Sequence, residues 1–302
     1  MNSPTIIHFG KLTTHRSVMA RALGLVSGGI LWLLLFLILP SLLVLAIAFT
    51  TRSPDGEIIW SFTFENFTRL LGFTDEGWSS DYLSILWRSV WMATLTTILA
   101  IGIALPMAFF IARQSKRMRF VWLSLIMIPM CTNLVVRTYA WELLFSPQLP
   151  PAKMAAMFGF IDEGRGRYPG VFAVMVGMVA NALPFAVLPL YASVERMDWS
   201  IVEASRDLYA GRWLALRQAI LPQVAPGIGV AIILTFVPAM GMFVITDRLS
   251  GGNFMIIGNA IEQQFNTSRD YPFGAALSFV LIALTLAGLW WYRRRGKAIE
   301  LM

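Results

Sequence analysis

Glu203-Ala-Ser-Arg-Asp-Leu-Tyr-Ala-Gly-Arg-Trp-Leu-Ala-Leu-Arg-Gln-Ala-Ile-Leu-Pro222 is a long polar interval between two strongly apolar stretches. Its pattern predicts a short helix, a break at Ala210-Gly211 and a second short helix that Pro222 stops. Trp213, Leu216 and Ile220 fall on one face of that second helix, with Arg212, Arg217 and Gln218 off it. A paired helix held between two apolar segments reads in two ways. It is a handle for a partner protein, or it is a loop that folds back on a membrane surface.

The rest of the chain makes those flanking segments membrane spans. Of its 302 residues 57% are hydrophobic and 14% charged, where soluble domains carry about 25% charged residues. Windows near 25–49, 84–112, 120–145, 170–192, 224–247 and 273–292 each approach the ~20 apolar residues that a spanning helix needs. Such unbroken runs exclude the alternating pattern of a membrane barrel. The first run is longer than a signal-peptide core and is read as a retained span.

The net charge of +7 follows topology rather than nucleic-acid binding. Residues 1–24, 113–119, 193–223 and 293–302 together hold 15 Lys/Arg and 5 Asp/Glu, whereas 50–83, 146–169 and 247–272 hold 7 and 11. The two sets alternate along the chain. The positive-inside bias therefore predicts cytoplasmic N and C termini. It divides the chain into an arm (1–24), a six-helix membrane domain (25–292) containing the 200–222 loop, and a basic tail (293–302). The acidic segments hold further helical signals. Phe62, Phe64, Phe67 and Leu70 are expected to dip into the outer interface, and an interfacial or re-entrant helix is expected near 254–265.

Inside the spans, ionisable side chains mark candidate routes, because charge at membrane depth normally faces a bundle interior or a wet cavity. Asn133, Arg137 and Trp141 recur every four residues in the third window, with Tyr139 and Glu142 on a neighbouring face. Asp247 closes the fifth window. A cationic solute would use Glu142, Asp247, Tyr139 and Trp141; an anionic one would use Arg137 and Asn133. Arg137 and Glu142 also stand late enough in their span to reach the interface. Proline and glycine inside the spans allow hinged helices or simply close packing. Cys131 is the single cysteine, and His8 and His15 lack ligand spacing. No nucleotide-binding, zinc-hydrolase or nucleophile-elbow motif is present. The chain is thus expected to hold no catalytic residues, no metal and no cofactor of its own.

The opening stretch resembles the EAA loop of the membrane subunits of binding-protein-dependent ABC importers. Glu203, Ala204, Leu208, Ala210, Leu221 and Pro222 match that pattern in spacing. Ser205 replaces its second Ala, Tyr209 stands where the family has Gly, with Gly211 two residues later, and Leu216 stands where Phe is common. Val136–Trp141, Leu183–Tyr191, Val237–Gly252 and Ile257–Ala276 are similar to spermidine/putrescine permeases, nearest the first of their two unlike membrane subunits. The resemblance implies an all-α polytopic fold of the type I importer permease (MetI-like) class in a bacterial inner membrane. It implies ATP-driven import of a polyamine, with iron, aminoethylphosphonate, opines or amino-acid-like solutes as other cargoes of similar permeases. An integral-membrane enzyme using Glu142 or Asp247 is the reading from another class. The implied partners are an ATPase dimer carrying ATP and Mg, a second unlike six-span permease, a periplasmic or lipid-anchored binding protein, and membrane lipid. The implied coupling residues are Glu203, Ala204, Leu208, Ala210, Gly211, Leu221 and Pro222.

Overall fold

The computed structural model describes residues 26–53, 56–74, 77–146 and 168–299. The N-terminal arm, both histidines, most of the 146–169 segment and the last residues of the tail lie outside the described residues. Five helices are long and apolar enough to cross a membrane: α1 (Val26–Ala48), α3 (Asp81–Ala112), α6 (Val171–Glu195), α8 (Arg212–Met240) and α11 (Tyr271–Ile299, apolar to Trp290). The third window, 120–145, is not one straight span. It is α4 (Lys116–Met127, extended by a 3-10 turn to Cys131) and α5 (Leu134–Phe145), bent from each other by 96°. Pro129 lies in the 3-10 turn and Thr132 is extended. The Asn133 Oδ1 then accepts the Val135 N–H at 2.8 Å and restarts the helix. Short elements fill the connections: α2 (Glu65–Leu70), α7 (Trp199–Asp207), α9 (Phe243–Ser250) and α10 (Ile257–Asn266), with two-residue antiparallel ribbons at Thr51–Arg52/Ile58–Ile59 and Phe73–Thr74/Gly77–Trp78.

Proline does not act as the stop that its position suggests. In α8 a π turn over Leu216–Ile220 precedes Pro222, and the helix continues from Arg212 to Met240. The same device, over Leu34–Ile38, precedes Pro40 in α1. Widening the turn draws the carbonyl four residues back away from the proline ring and absorbs the missing N–H. The true end of α8 is Gly241, so residues 243–247 of the fifth window belong to α9.

The core is a three-helix packing of α3, α6 and α8. On α6 the buried residues Val174, Met178, Ala182, Ala186, Leu190 and Val194 recur every four positions. On α3 the matching face is small: Ala93, Ala100, Ala104 and Ala108. Helices associate in lipid through close packing rather than apolar transfer, so small residues on one side favour contact. Gly227 belongs to this logic. A methyl group there would lie 2.8 Å from the Pro189 carbonyl oxygen on α6. At this position close packing, not hinging, accounts for the glycine.

The interfacial or re-entrant segment expected near 254–265 contains a helix, α10, packed on α11. The piece at 62–70 departs from expectation. Leu70 and Asn66 are buried in the protein, and Asn66 donates to the Ala48 and Thr50 carbonyls at 2.9 and 2.8 Å. Of the four apolar residues expected at the interface, Phe62 and Phe64 are exposed, Phe67 is half-buried and Leu70 is buried. Arg69 pins this segment by an ion pair to Asp270 at 2.8 Å.

Candidate functional site

Two sites emerge at opposite ends of the bundle. The first is the α7–α8 hairpin. Asp198 caps α7 by accepting the Ser200 N–H at 2.9 Å. Gln223, one residue past Pro222, holds both arms together. Its Oε1 accepts the Asp198 N–H at 2.8 Å, and its Nε2 donates to the Asp198 and Ala219 carbonyls at 3.3 and 2.7 Å. Met197, Val202 and Ala219 form an apolar floor against Phe109 at the end of α3. Arg113 lies over the Trp199 ring, 5.7 Å from its centre. Nearby, Arg119 pairs with Glu195 at 3.0 Å.

The turn of the hairpin rests on Tyr209, whose φ is +59°. The Ala210 N–H donates to the Ser205 carbonyl at 3.1 Å and the Tyr209 N–H to Arg206 at 2.9 Å. This is a Schellman ending, whose left-handed position normally takes glycine. The position where the family pattern has glycine is therefore the one that adopts a glycine conformation. Gly211 has φ −59° and open space around it, so it is not the conformational break. Glu203 and Ala204 are exposed on α7, and Ala210 and Leu221 are half-buried. Leu208 is 82% exposed, Tyr209 97% and Trp213 74%, which leaves an apolar crest at the tip. The face shared by Trp213, Leu216 and Ile220 does not form. Ala215 and Ala219 are the buried positions, because the π turn shifts the register. Among the described residues Glu203 makes no ion pair.

The second site gathers around α5. Asn133 is spent as the helix cap. The Arg137 guanidinium does not meet Glu142 or Asp247. It donates to the Pro129 carbonyl at 2.8 Å and to Asn181 Oδ1 on α6 at 2.6 Å, tying the bent pair to the core. Trp141 stacks on Phe145 and packs into the core. Glu142, half-buried, accepts the Tyr168 hydroxyl at 2.9 Å and makes no ion pair among the described residues. Burial, and then the Glu142 carboxylate, push the Tyr168 hydroxyl above the usual phenol range against the opposing charge of Arg248. Tyr168 therefore remains a donor at neutral pH. Arg248 on α9 lies over the Tyr139 ring, 5.0 Å from its centre. Asp247 is exposed on α9 beside it.

This arrangement offers a carboxylate and aromatic faces but no nucleophile set beside a base. Tyr168, Arg248, Asn181 and Gln223 were not readable as site residues. Each acts on a partner at least 25 residues away in sequence. The deep groove elsewhere, about 550 Å³ between α3, α8 and α11, is lined by residues such as Ile98, Ile101, Ile232 and Phe236 and by no ionisable side chain. It does not suit a charged solute.

Comparison with known proteins places these features in context. A family model described as binding-protein-dependent transport system inner membrane component matches residues 104–300. The spermidine/putrescine transport system permease protein PotB of Escherichia coli K12 is 35% identical over 269 residues, covering 89% of this chain and 95% of that protein. PotB of Haemophilus influenzae is 33% identical over the same length, covering 89% and 92%. Among solved structures, a bacterial ABC transporter involved in import of the acidic polysaccharide alginate superposes with a TM-score of 0.69 at 16% identity, covering 94% of this chain and 96% of that one. That likeness is one of fold.

Proposed function

The chain belongs to the family of inner-membrane components of binding-protein-dependent transport systems, and from that premise we propose that it carries a polyamine across the membrane. It is a permease subunit of an ABC importer. The observation that carries the cargo reading is the near full-length likeness to spermidine/putrescine permeases. Glu142 supports it physically. It is half-buried and, among the described residues, makes no ion pair, so a cation that reached it would gain a charge-assisted partner. Arg137, the residue an anion would seek, already gives two donors to Pro129 and Asn181.

The hairpin is the lever for the motor. Its exposed crest at Leu208, Tyr209 and Trp213 is set to enter a groove on an ATPase dimer that carries ATP and Mg, with Glu203 free to make a charge-assisted hydrogen bond there. Clamped to α3 and continuous with α8, it transmits a push as rigid-body motion. A second unlike permease completes the pathway, and a periplasmic or lipid-anchored binding protein loads it. Both termini lie on the cytoplasmic side with the hairpin.

Reconstitution of this chain with the second permease, the ATPase and the binding protein in proteoliposomes tests the reading. ATP-dependent uptake of labelled spermidine is the expected result. Uptake of labelled aminoethylphosphonate without spermidine would overturn the polyamine assignment. Glu203→Ala is expected to leave the complex assembled while disconnecting ATP hydrolysis from uptake. Uptake at the normal rate in that variant removes Glu203 from the lever.

A further inference from the structure

The cation-facing region already contains a cation of its own. Tyr139 and Glu142 stand three residues apart on α5 and so share a face. Across from them, Arg248 sets its guanidinium over the Tyr139 ring at 5.0 Å. Arg248 also acts electrostatically on Tyr168, and the Tyr168 hydroxyl is bonded to Glu142 at 2.9 Å. One neighbourhood therefore holds an aromatic face, a carboxylate and an exposed positive charge. Yet the carboxylate and the guanidinium do not pair among the described residues. Among the described residues the aromatic face has a cation over it, and the carboxylate has the Tyr168 hydroxyl but no cation.

We propose that Arg248 is a resident stand-in for the cargo, holding the Tyr139 face until an ammonium group of the arriving solute displaces it and pairs with Glu142. The proposal rests on the cationic-cargo reading above. Three features suit Arg248 to the role. It is exposed and so free to swing. Its guanidinium is weakly hydrated and stacks on aromatic rings, whereas a multiply charged polyamine offers several ammonium groups to compete for the same place. It also has somewhere to go. Arg248 lies in the last turn of α9, which ends at Gly251 with φ +64°, and the C-terminal carbonyls of a helix attract positive charge. The displaced side chain thus moves from one favourable position to another, and the route opens only to a solute that can do what the arginine does. A neutral solute gains nothing by displacing it.

The test uses the complete four-chain transporter in proteoliposomes with saturating binding protein, and spermidine as the probe. Arg248→Ala is expected to raise the rate of spermidine uptake by about two- to fivefold, the range that loss of one exposed cation–π competitor yields. External guanidinium ion is expected to refill the Tyr139 face in that variant and reverse the gain, while leaving the unsubstituted transporter unchanged. Adding Tyr139→Leu to Arg248→Ala is expected to abolish the guanidinium response. Arg248→Gln provides a second variant if the alanine form does not assemble. Rates at or below the unsubstituted level in both variants overturn the proposal, as does equal inhibition of variant and unsubstituted transporter by guanidinium. A transporter that moves no spermidine before any substitution overturns the cargo reading, and the stand-in with it. One that moves spermidine without the gain overturns the stand-in alone.

Discussion

The hairpin and the α5 region are built on opposite plans. Every bond that shapes the hairpin turn joins residues within five positions of each other, and the Gln223 clamp spans 25. Its turn is closed by backbone hydrogen bonds from the Tyr209 and Ala210 N–H groups, and its apolar tip is left bare. The α5 region is assembled from four separate elements, with Asn181, Tyr168 and Arg248 each reaching it from elsewhere in the chain. There Trp141 and Phe145 pack into the core while Val136 and Leu143 stay exposed, and among the described residues Glu142 meets the Tyr168 hydroxyl but no cation. One region is finished mechanically and lacks a protein surface. The other carries the carboxylate and aromatic faces that we propose meet the solute. A permease needs both, because force has to arrive through something stiff and the solute has to pass something that can rearrange.

The contrast can be broken most severely at Tyr209. Proline cannot adopt its φ of +59°. Tyr209→Pro is expected to misform the turn and to reduce ATP-driven uptake to background while the spans still insert. Uptake assays beside membrane quantification check this, and normal transport would deny the hairpin its mechanical role. Gly211→Pro is the control, since φ of −59° already suits proline; it is expected to retain most uptake.

A smaller loss is expected from Glu142→Gln. It keeps the shape and an acceptor for the Tyr168 hydroxyl but removes the charge. Hydrogen bonds to charged groups are worth about 1.5–3 kcal/mol, so spermidine uptake is expected to fall about ten- to hundredfold. ATP hydrolysis should persist, in contrast to the hairpin variants. An unchanged rate would place the cation route elsewhere.

Gln223→Leu sharpens the comparison more gently. It deletes the hydrogen bonds between Asp198 and the start of α8 at a partly exposed position, costing about 1–2 kcal/mol at the usual net value per bond. Amide exchange confined to α7 should accelerate by a corresponding factor, with the α5 region unaffected. Exchange that speeds up across the whole bundle would show that the hairpin is not a separate unit. The smallest effect is expected from Tyr209→Gly, which relieves a left-handed tyrosine and should stabilise the turn by about 1 kcal/mol. A lower melting temperature in that variant would mean that the Tyr209 side chain contributes packing that its 97% exposure denies.

The two regions also differ in how far they could be read from the sequence. The hairpin was visible as a polar interval with a glutamate, a turn and a terminal proline, since local signals govern local structure. Its error was equally local. Pro222 reads as a stop, but a π turn lets the ladder pass it, and that choice depends on α8 packing along α6 and α3. Around α5 the ionisable residues were identifiable because charge is rare in apolar runs. Their roles were not. The Asn133, Arg137 and Trp141 stripe presumed one straight helix, and the 96° bend turned Asn133 into a cap and Arg137 toward Asn181.

Hydropathy and charge alternation alone determined that this chain is a helical membrane protein with a polar helical interval between spans, because the cost of burying charge and unpaired backbone in lipid acts residue by residue and is written in composition. Only the tertiary structure decided which prolines break helices, which arginine is tied down and which one sits over an aromatic ring. Those outcomes depend on contacts between residues far apart in the chain, and no local preference encodes them.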